Sequence, residues 1–138
     1  MKVKIKRLRP DAVIPKYAKS GDAGMDLTAV WQKQEFDLIT YGTGLCVEIP
    51  KGHLGLLFPR SSVYQTKMFL TNCVGVIDSG YRGEIMMKFE MMDSDTMYKT
   101  GDRVGQLIIL PYPQIEFEEA DQLDMSDRGQ GGFGSTGL

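Results

Sequence analysis

Apolar and polar residues alternate with a period of two along much of this chain, the pattern of strands with one face buried. Val3, Ile5 and Arg7 alternate with Lys4, Lys6 and Leu8, which predicts an edge-like first strand. Ser20-Gly21-Asp22-Ala23-Gly24 reads as a loop entering a strand at Met25 to Val30. Leu45 to Ile49 and Leu54 to Phe58 read as two strands joined by the turn residues Pro50-Lys51-Gly52-His53. Phe69 to Ile77 reads as one mostly apolar strand, with a hairpin turn at Asp78-Ser79-Gly80 and a return strand after it. In the return strand Ile85, Met87, Phe89 and Met91 share one face, while Glu84, Lys88 and Glu90 share the other. Val104 to Leu110 is apolar on both faces apart from Gln106, so a buried strand is expected, ended by Pro111 and Pro113.

A single short helix is predicted, within Ser61 to Met68, with Ser61 or Ser62 capping its N-terminus. No strands alternate with long helices, which excludes a doubly wound α/β fold. Many short strands with closely spaced turns predict an all-β sandwich or barrel.

Composition narrows the function. The chain has 138 residues and a net charge of -2, so one domain without general affinity for nucleic acid is expected. No apolar run reaches membrane-spanning length and no signal-peptide block is present, which predicts no membrane association and a cytoplasmic location, or the interior of a host cell for a viral protein. Cys46 and Cys73 match no paired motif, and Cys46 is expected as a reduced core residue. With one histidine, His53, a protein zinc site is not expected.

Five polar, glycine-containing clusters interrupt the strand pattern. In Ala23-Gly24-Met25-Asp26-Leu27, Asp26 is either an edge residue or a carboxylate holding magnesium through water. In Phe58-Pro59-Arg60-Ser61-Ser62, the serines are plain caps or, with Arg60 beside free backbone donors, part of an anion site. In the segment Gly75 to Ile85, Asp78 stands at a turn where a carboxylate could orient and deprotonate water, and Tyr81 could press on a sugar. Gly101-Asp102 makes a turn before Gln106, whose amide needs partners if buried. The last twelve residues hold five glycines with Arg128, Phe133, Ser135 and Thr136. That tail cannot build a core, yet it carries a phosphate-seeking fork and a ring suited to a base. We expect residues 1–123 to form the barrel and residues 124–138 a mobile arm closing over a nucleotide. No GxxxxGK[ST] is present, so any phosphate site is not a P-loop.

In their order and spacing these clusters resemble the five motifs of the homotrimeric dUTPase family, over about Ala23 to Gly137. The resemblance implies a compact β-barrel of jelly-roll type with one short helix and a mobile C-terminal arm. It implies a homotrimer with sites shared between subunits, and magnesium-assisted hydrolysis of dUTP to dUMP and pyrophosphate. That reaction would limit uracil in DNA and supply dUMP for dTMP synthesis. Asp78 matches the aspartate that activates water for attack on the α-phosphorus. Tyr81 matches the ring that stacks on deoxyribose. Asn72 matches an asparagine beside uracil, where the backbone of Gly75, Val76 and Ile77 also reads the base. Arg60, Ser61, Ser62 and Gln106 match phosphate contacts, with Ser62 where glycine is frequent. Asp26 matches the aspartate that reaches magnesium through water. In the arm, Arg128, Gly134, Ser135 and Thr136 match the γ-phosphate region, and Phe133 matches the ring covering uracil. The Asp78–Tyr81 pattern and the arm favour this activity over dCTP deamination, which shares the fold.

Overall fold

A computed structural model describes residues 1–92 and 96–135. Among these residues ten strands form three antiparallel sheets. The strands are β1 (Lys4–Arg7), β2 (Met25–Thr28), β3 (Trp31–Glu35), β4 (Leu38–Gly42), β5 (Leu45–Glu48), β6 (His53–Phe58), β7 (Met68–Leu70), β8 (Gly75–Ile77), β9 (Met86–Met91) and β10 (Arg103–Pro111). Two four-stranded sheets, β2-β10-β6-β8 and β3-β4-β9-β7, enclose the core, and β1 pairs with β5 in a third. The all-β jelly-roll architecture is the one expected.

The period-two pattern builds this core. Ile85, Met87 and Phe89 are buried as expected, and Met91 is half-buried. The exposed Met86 points outward from the same strand. Tyr41, Phe89 and Tyr98 pack edge to face with centroids 5.9 to 6.1 Å apart. Burying a ring such as Phe89 contributes about 1.5–3 kcal/mol. The Tyr41 hydroxyl donates to the Tyr98 carbonyl at 2.7 Å, so its polar end is satisfied inside the core.

Several boundaries differ from expectation. Pro50 to His53 does turn, with His53 N donating to Pro50 O, but β5 pairs with β1 while β6 pairs with β10 and β8. The turn therefore carries the chain between sheets. Turn residues mark a reversal without naming the strand's partner. The same holds at Asp78-Ser79-Gly80, where β8 belongs to one sheet and β9 to the other, so the segment is a crossover and not a hairpin. The run Phe69 to Ile77 is broken into β7 and β8 by a turn at Thr71 to Val74. Cys73 adopts φ 58° there, in a stretch without glycine or proline to signal a bend. The expected helix is a 3-10 turn, Ser61–Gln65, and Met68 already lies in β7. Arg60 is the N-cap and no side chain caps it, so neither serine has that role. Cys46 is half-buried and not part of the core.

Candidate active site

The first, second and fourth clusters meet at one end of the β2-β10-β6-β8 sheet. Gln106 on the central strand β10 pairs with Asp26 of β2 on one side and Phe58 of β6 on the other. That register brings the carboxylate, the amide and the Pro59-Arg60-Ser61 segment together. The Asp26 carboxylate receives two arginines. Arg60 Nε donates to Oδ1 at 3.0 Å and Arg103 Nη1 to Oδ2 at 2.9 Å. Arg60 Nη1 also donates to the Ser62 hydroxyl at 3.3 Å. Charge-assisted pairing of this kind fixes the direction of a guanidinium fork. Gln106 is half-buried, and its Nε2 donates to the Pro59 carbonyl at 3.0 Å, the partner its position required.

Gly24 belongs to this arrangement for a reason of space. A Cβ there would collide with the Gln106 amide oxygen. The adjoining cavity, about 280 Å³, is lined by Lys16, Asp22, Gly24, Asp26 and Gln106 among others. Lys16 and Arg103 were not singled out in the sequence. For Arg103 the signal was available, since it sits between Asp102 and Gln106 in the fourth cluster.

Beneath the 3-10 turn lies the Tyr98 hydroxyl, buried without a hydrogen-bond partner among the described residues. Ser62 and Thr66 are its polar neighbours but do not complete a bond of good geometry. Burial raises the Tyr98 phenol above its usual pKa, and the Arg60 charge opposes part of that rise.

The third cluster lies elsewhere. Ile77, at the end of β8, pairs with Gly55 near the start of β6, whereas Arg60 follows the far end of β6. Asp78 is exposed beyond Ile77. Tyr81 N donates to the Asp78 carbonyl at 3.0 Å, and the Tyr81 hydroxyl donates to the Glu84 carbonyl at 2.9 Å. Asn72 and Gly75 line a separate cavity of about 270 Å³ with Thr40, Thr71, Met86 and Lys88. Val76 is exposed and Ile77 half-buried, and neither lines that cavity.

The arm stands apart from both regions. Residues 111–130 are exposed throughout, and Phe133 is 111% exposed, so its ring covers nothing within its own chain. Arg128 Nε donates to the Gly131 carbonyl at 2.9 Å, and Ser135 N to the Gly132 carbonyl at 3.1 Å. Gly134 has φ 74°, the left-handed conformation that glycine accepts without strain. Thr136 lies outside the described residues. Among the described residues, one chain thus holds the predicted ones in three groups and does not unite them.

The dUTPase family model matches residues 11–137. The chain belongs to the dUTPase family. Curated family members cover its full length. A deoxyuridine 5'-triphosphate nucleotidohydrolase of Hydrogenobaculum sp. is 37% identical, with 100% of this chain and 99% of that protein covered. The same enzyme of Desulfitobacterium hafniense is 42% identical, covering 100% and 97%. The solved structure of Staphylococcus bacteriophage 80alpha dUTPase with dUPNHPP superposes with a TM-score of 0.83 at 26% identity, covering 99% of each chain. Family membership makes this protein a hydrolase acting on dUTP, a dUTP diphosphatase.

Among the described residues, no group of three or more histidine, cysteine, aspartate or glutamate side chains could cage a metal ion. The first cluster offers the single Asp26 carboxylate instead. Each of its oxygens accepts one N–H and retains acceptor capacity for a water. That suits magnesium, which keeps several waters and takes other ligands from phosphates. No helix among the described residues is long and apolar enough to cross a membrane.

Proposed function

We propose that the chain hydrolyses dUTP to dUMP and pyrophosphate, with water attacking the α-phosphorus. The observation that carries the reading is the meeting of Asp26, Arg60 and Gln106 at one sheet end, in a chain of the dUTPase family. A fixed fork of donors beside a half-buried amide is suited to a triphosphate chain. The phage dUTPase solved with dUPNHPP supports a deoxyuridine nucleotide as the ligand.

In this reading Asp78 takes the proton of the attacking water, and pyrophosphate departs as the new oxygen–phosphorus bond forms. Arg60, Ser61, Ser62 and Gln106 hold the phosphates. Asn72 and the backbone of Gly75, Val76 and Ile77 read uracil, and Tyr81 presses on the sugar where a 2'-hydroxyl would need room. Asp26 would hold magnesium through water, and the ion would neutralise phosphate charge. Arg128, Phe133, Gly134, Ser135 and Thr136 belong to residues 124–138, an arm that closes over the nucleotide and excludes bulk water. The barrel is residues 1–123.

The groups Asp78, Arg60 and Phe133 lie apart in one chain, so we assign the complete site to a homotrimer in which each copy supplies a different part. The exposed Ile115 and Phe117, ahead of the arm, are apolar surface that such an assembly would cover. The products place the enzyme in nucleotide metabolism, limiting uracil in DNA and supplying dUMP for dTMP synthesis, with the cell interior as its setting.

The test is pyrophosphate release with magnesium from dUTP, dCTP, dTTP and UTP in parallel, with ammonia followed in the dCTP sample. Release from dUTP alone is expected. Ammonia from dCTP, or equal release from UTP, would contradict the reading.

A further inference from the structure

The period-two pattern puts Glu84 on the polar face with Lys88 and Glu90, and the structure gives its carboxylate two partners there. Its Oε1 accepts from the Trp31 indole Nε1 at 2.8 Å and from the Gly44 backbone N at 2.7 Å. Glu84 and Trp31 are half-buried and Gly44 is buried. The carboxylate therefore ties the end of the crossover segment to β3 and to the turn after β4. The next residue is tied there too, since Ile85 N donates to Leu45 O at 2.8 Å and the Thr43 hydroxyl donates to Ile85 O at 2.8 Å.

The tie continues toward Tyr81. The Glu84 carbonyl accepts the Tyr81 hydroxyl at 2.9 Å, and the ring lies so close over Gly83 that a Cβ there would collide with it. The direction of the Tyr81 ring is thus set by the Glu84 backbone, and the Glu84 backbone by what its side chain grips.

We propose that Glu84 is a positioning residue for sugar discrimination, clamped by Trp31 and Gly44 so that Tyr81 is held where a ribose does not fit. This rests on Tyr81 being the residue that faces the sugar. Hydrogen bonds to a charged group resist distortion better than neutral ones, and that stiffness is what rejection of one hydroxyl requires. A ring free to swing would admit UTP.

The chain's one tryptophan is a partner in the contact, so the contact can be watched directly. The experiment measures kcat/KM for dUTP and UTP in the wild type, Glu84→Ala, Glu84→Gln and Trp31→Phe, with Trp31 emission and acrylamide quenching recorded where the indole remains. Glu84→Ala should make Trp31 emission shift to the red and quench more readily, and should lower the dUTP-to-UTP ratio about tenfold. Glu84→Gln keeps an oxygen for both donors and should retain most of the ratio. Trp31→Phe deletes one donor and should lower the ratio about threefold; it serves in place of Glu84→Ala if that variant does not fold. A ratio unchanged in both Glu84→Ala and Trp31→Phe, or both substrates slowed equally, would overturn the proposal by making the clamp structural only. Absence of dUTP turnover in the wild type would instead overturn the underlying function, and this proposal with it.

Discussion

Arg60 and Asp78 stand toward opposite ends of β6. Ile77, next to Asp78, pairs with Gly55, while Arg60 comes two residues after Phe58 at the strand's other end. Asp78 follows on beside Leu54, six residues before Arg60, and at about 3.3 Å per residue the two backbone positions are on the order of 20 Å apart. A water-activating carboxylate must lie within hydrogen-bond reach of the water it deprotonates. If Arg60 grips the triphosphate and Asp78 activates the water, as proposed, the two must come from different copies of the chain.

If Asp78 is the base, Asp78→Asn should keep nucleotide affinity and lower turnover by about 10²–10⁴-fold. Equilibrium binding of a non-hydrolysable dUTP analogue, beside single-turnover rates, separates the two effects. Unchanged turnover would remove Asp78 from that role.

The Gly24–Gln106 contact gives a second prediction. Gly24→Ala pushes the Gln106 amide away from the Pro59 carbonyl. KM for dUTP should rise about tenfold with the fold retained, because one hydrogen-bonded anchor of the phosphate segment is lost. A KM within experimental scatter of the wild type would show that Gln106 does not set phosphate affinity.

Much of this was legible in the sequence, and the parts that were not share a cause. The period-two run Ile85, Met87, Phe89 marked the inward face leading into and along β9, and the run Val104 to Leu110 marked β10, although the burial expected along it holds at Val104, Gly105 and Leu107 while Ile108, Ile109 and Leu110 are half-buried. Gln106 stood out as an amide needing a partner, and it has one. Pairing partners were not legible, since a turn at Pro50 or Asp78 looks the same whether the chain doubles back or crosses to the other sheet. The break at Cys73 was hidden because its positive φ is carried by a residue that rarely adopts it. The partners of Glu84 were not legible, because strand alternation reports which face a residue occupies and not which side chain from β3 meets it there. The distance between Asp78 and Arg60 is a property of strand register, which motif order along the chain does not encode.

Tyr98 supplies a stability prediction. Its hydroxyl is buried without a partner among the described residues, a condition that costs free energy. Tyr98→Phe should leave stability unchanged or raise it by about 1 kcal/mol. Chemical denaturation at fixed protein concentration measures this. A loss of more than about 1 kcal/mol would mean that the hydroxyl is bonded in solution.

Alkaline pH should weaken the fold. Burial raises the phenols of Tyr41 and Tyr98 above the usual phenol pKa of about 10. In the unfolded chain both ionise near that value, while the folded chain keeps them protonated. Their contribution is therefore complete below about pH 10 and is lost as pH rises toward the folded pKa. Denaturation midpoints between about pH 9 and pH 11 should fall in the wild type and fall less steeply in Tyr41→Phe. Parallel slopes in the two proteins would contradict the assignment.

The measurement that bears most directly on the shared site is complementation between two inactive chains. Asp78→Asn and Arg60→Ala chains, carrying different tags, are co-expressed and the mixed oligomer is purified through both tags. If Asp78 and Arg60 of one site come from different copies, some sites in the mixture contain both intact residues. The account predicts dUTP hydrolysis well above that of either parent variant. Activity no greater than the parents, in an oligomer proven to contain both chains, would contradict it, because every site would then draw both residues from one chain.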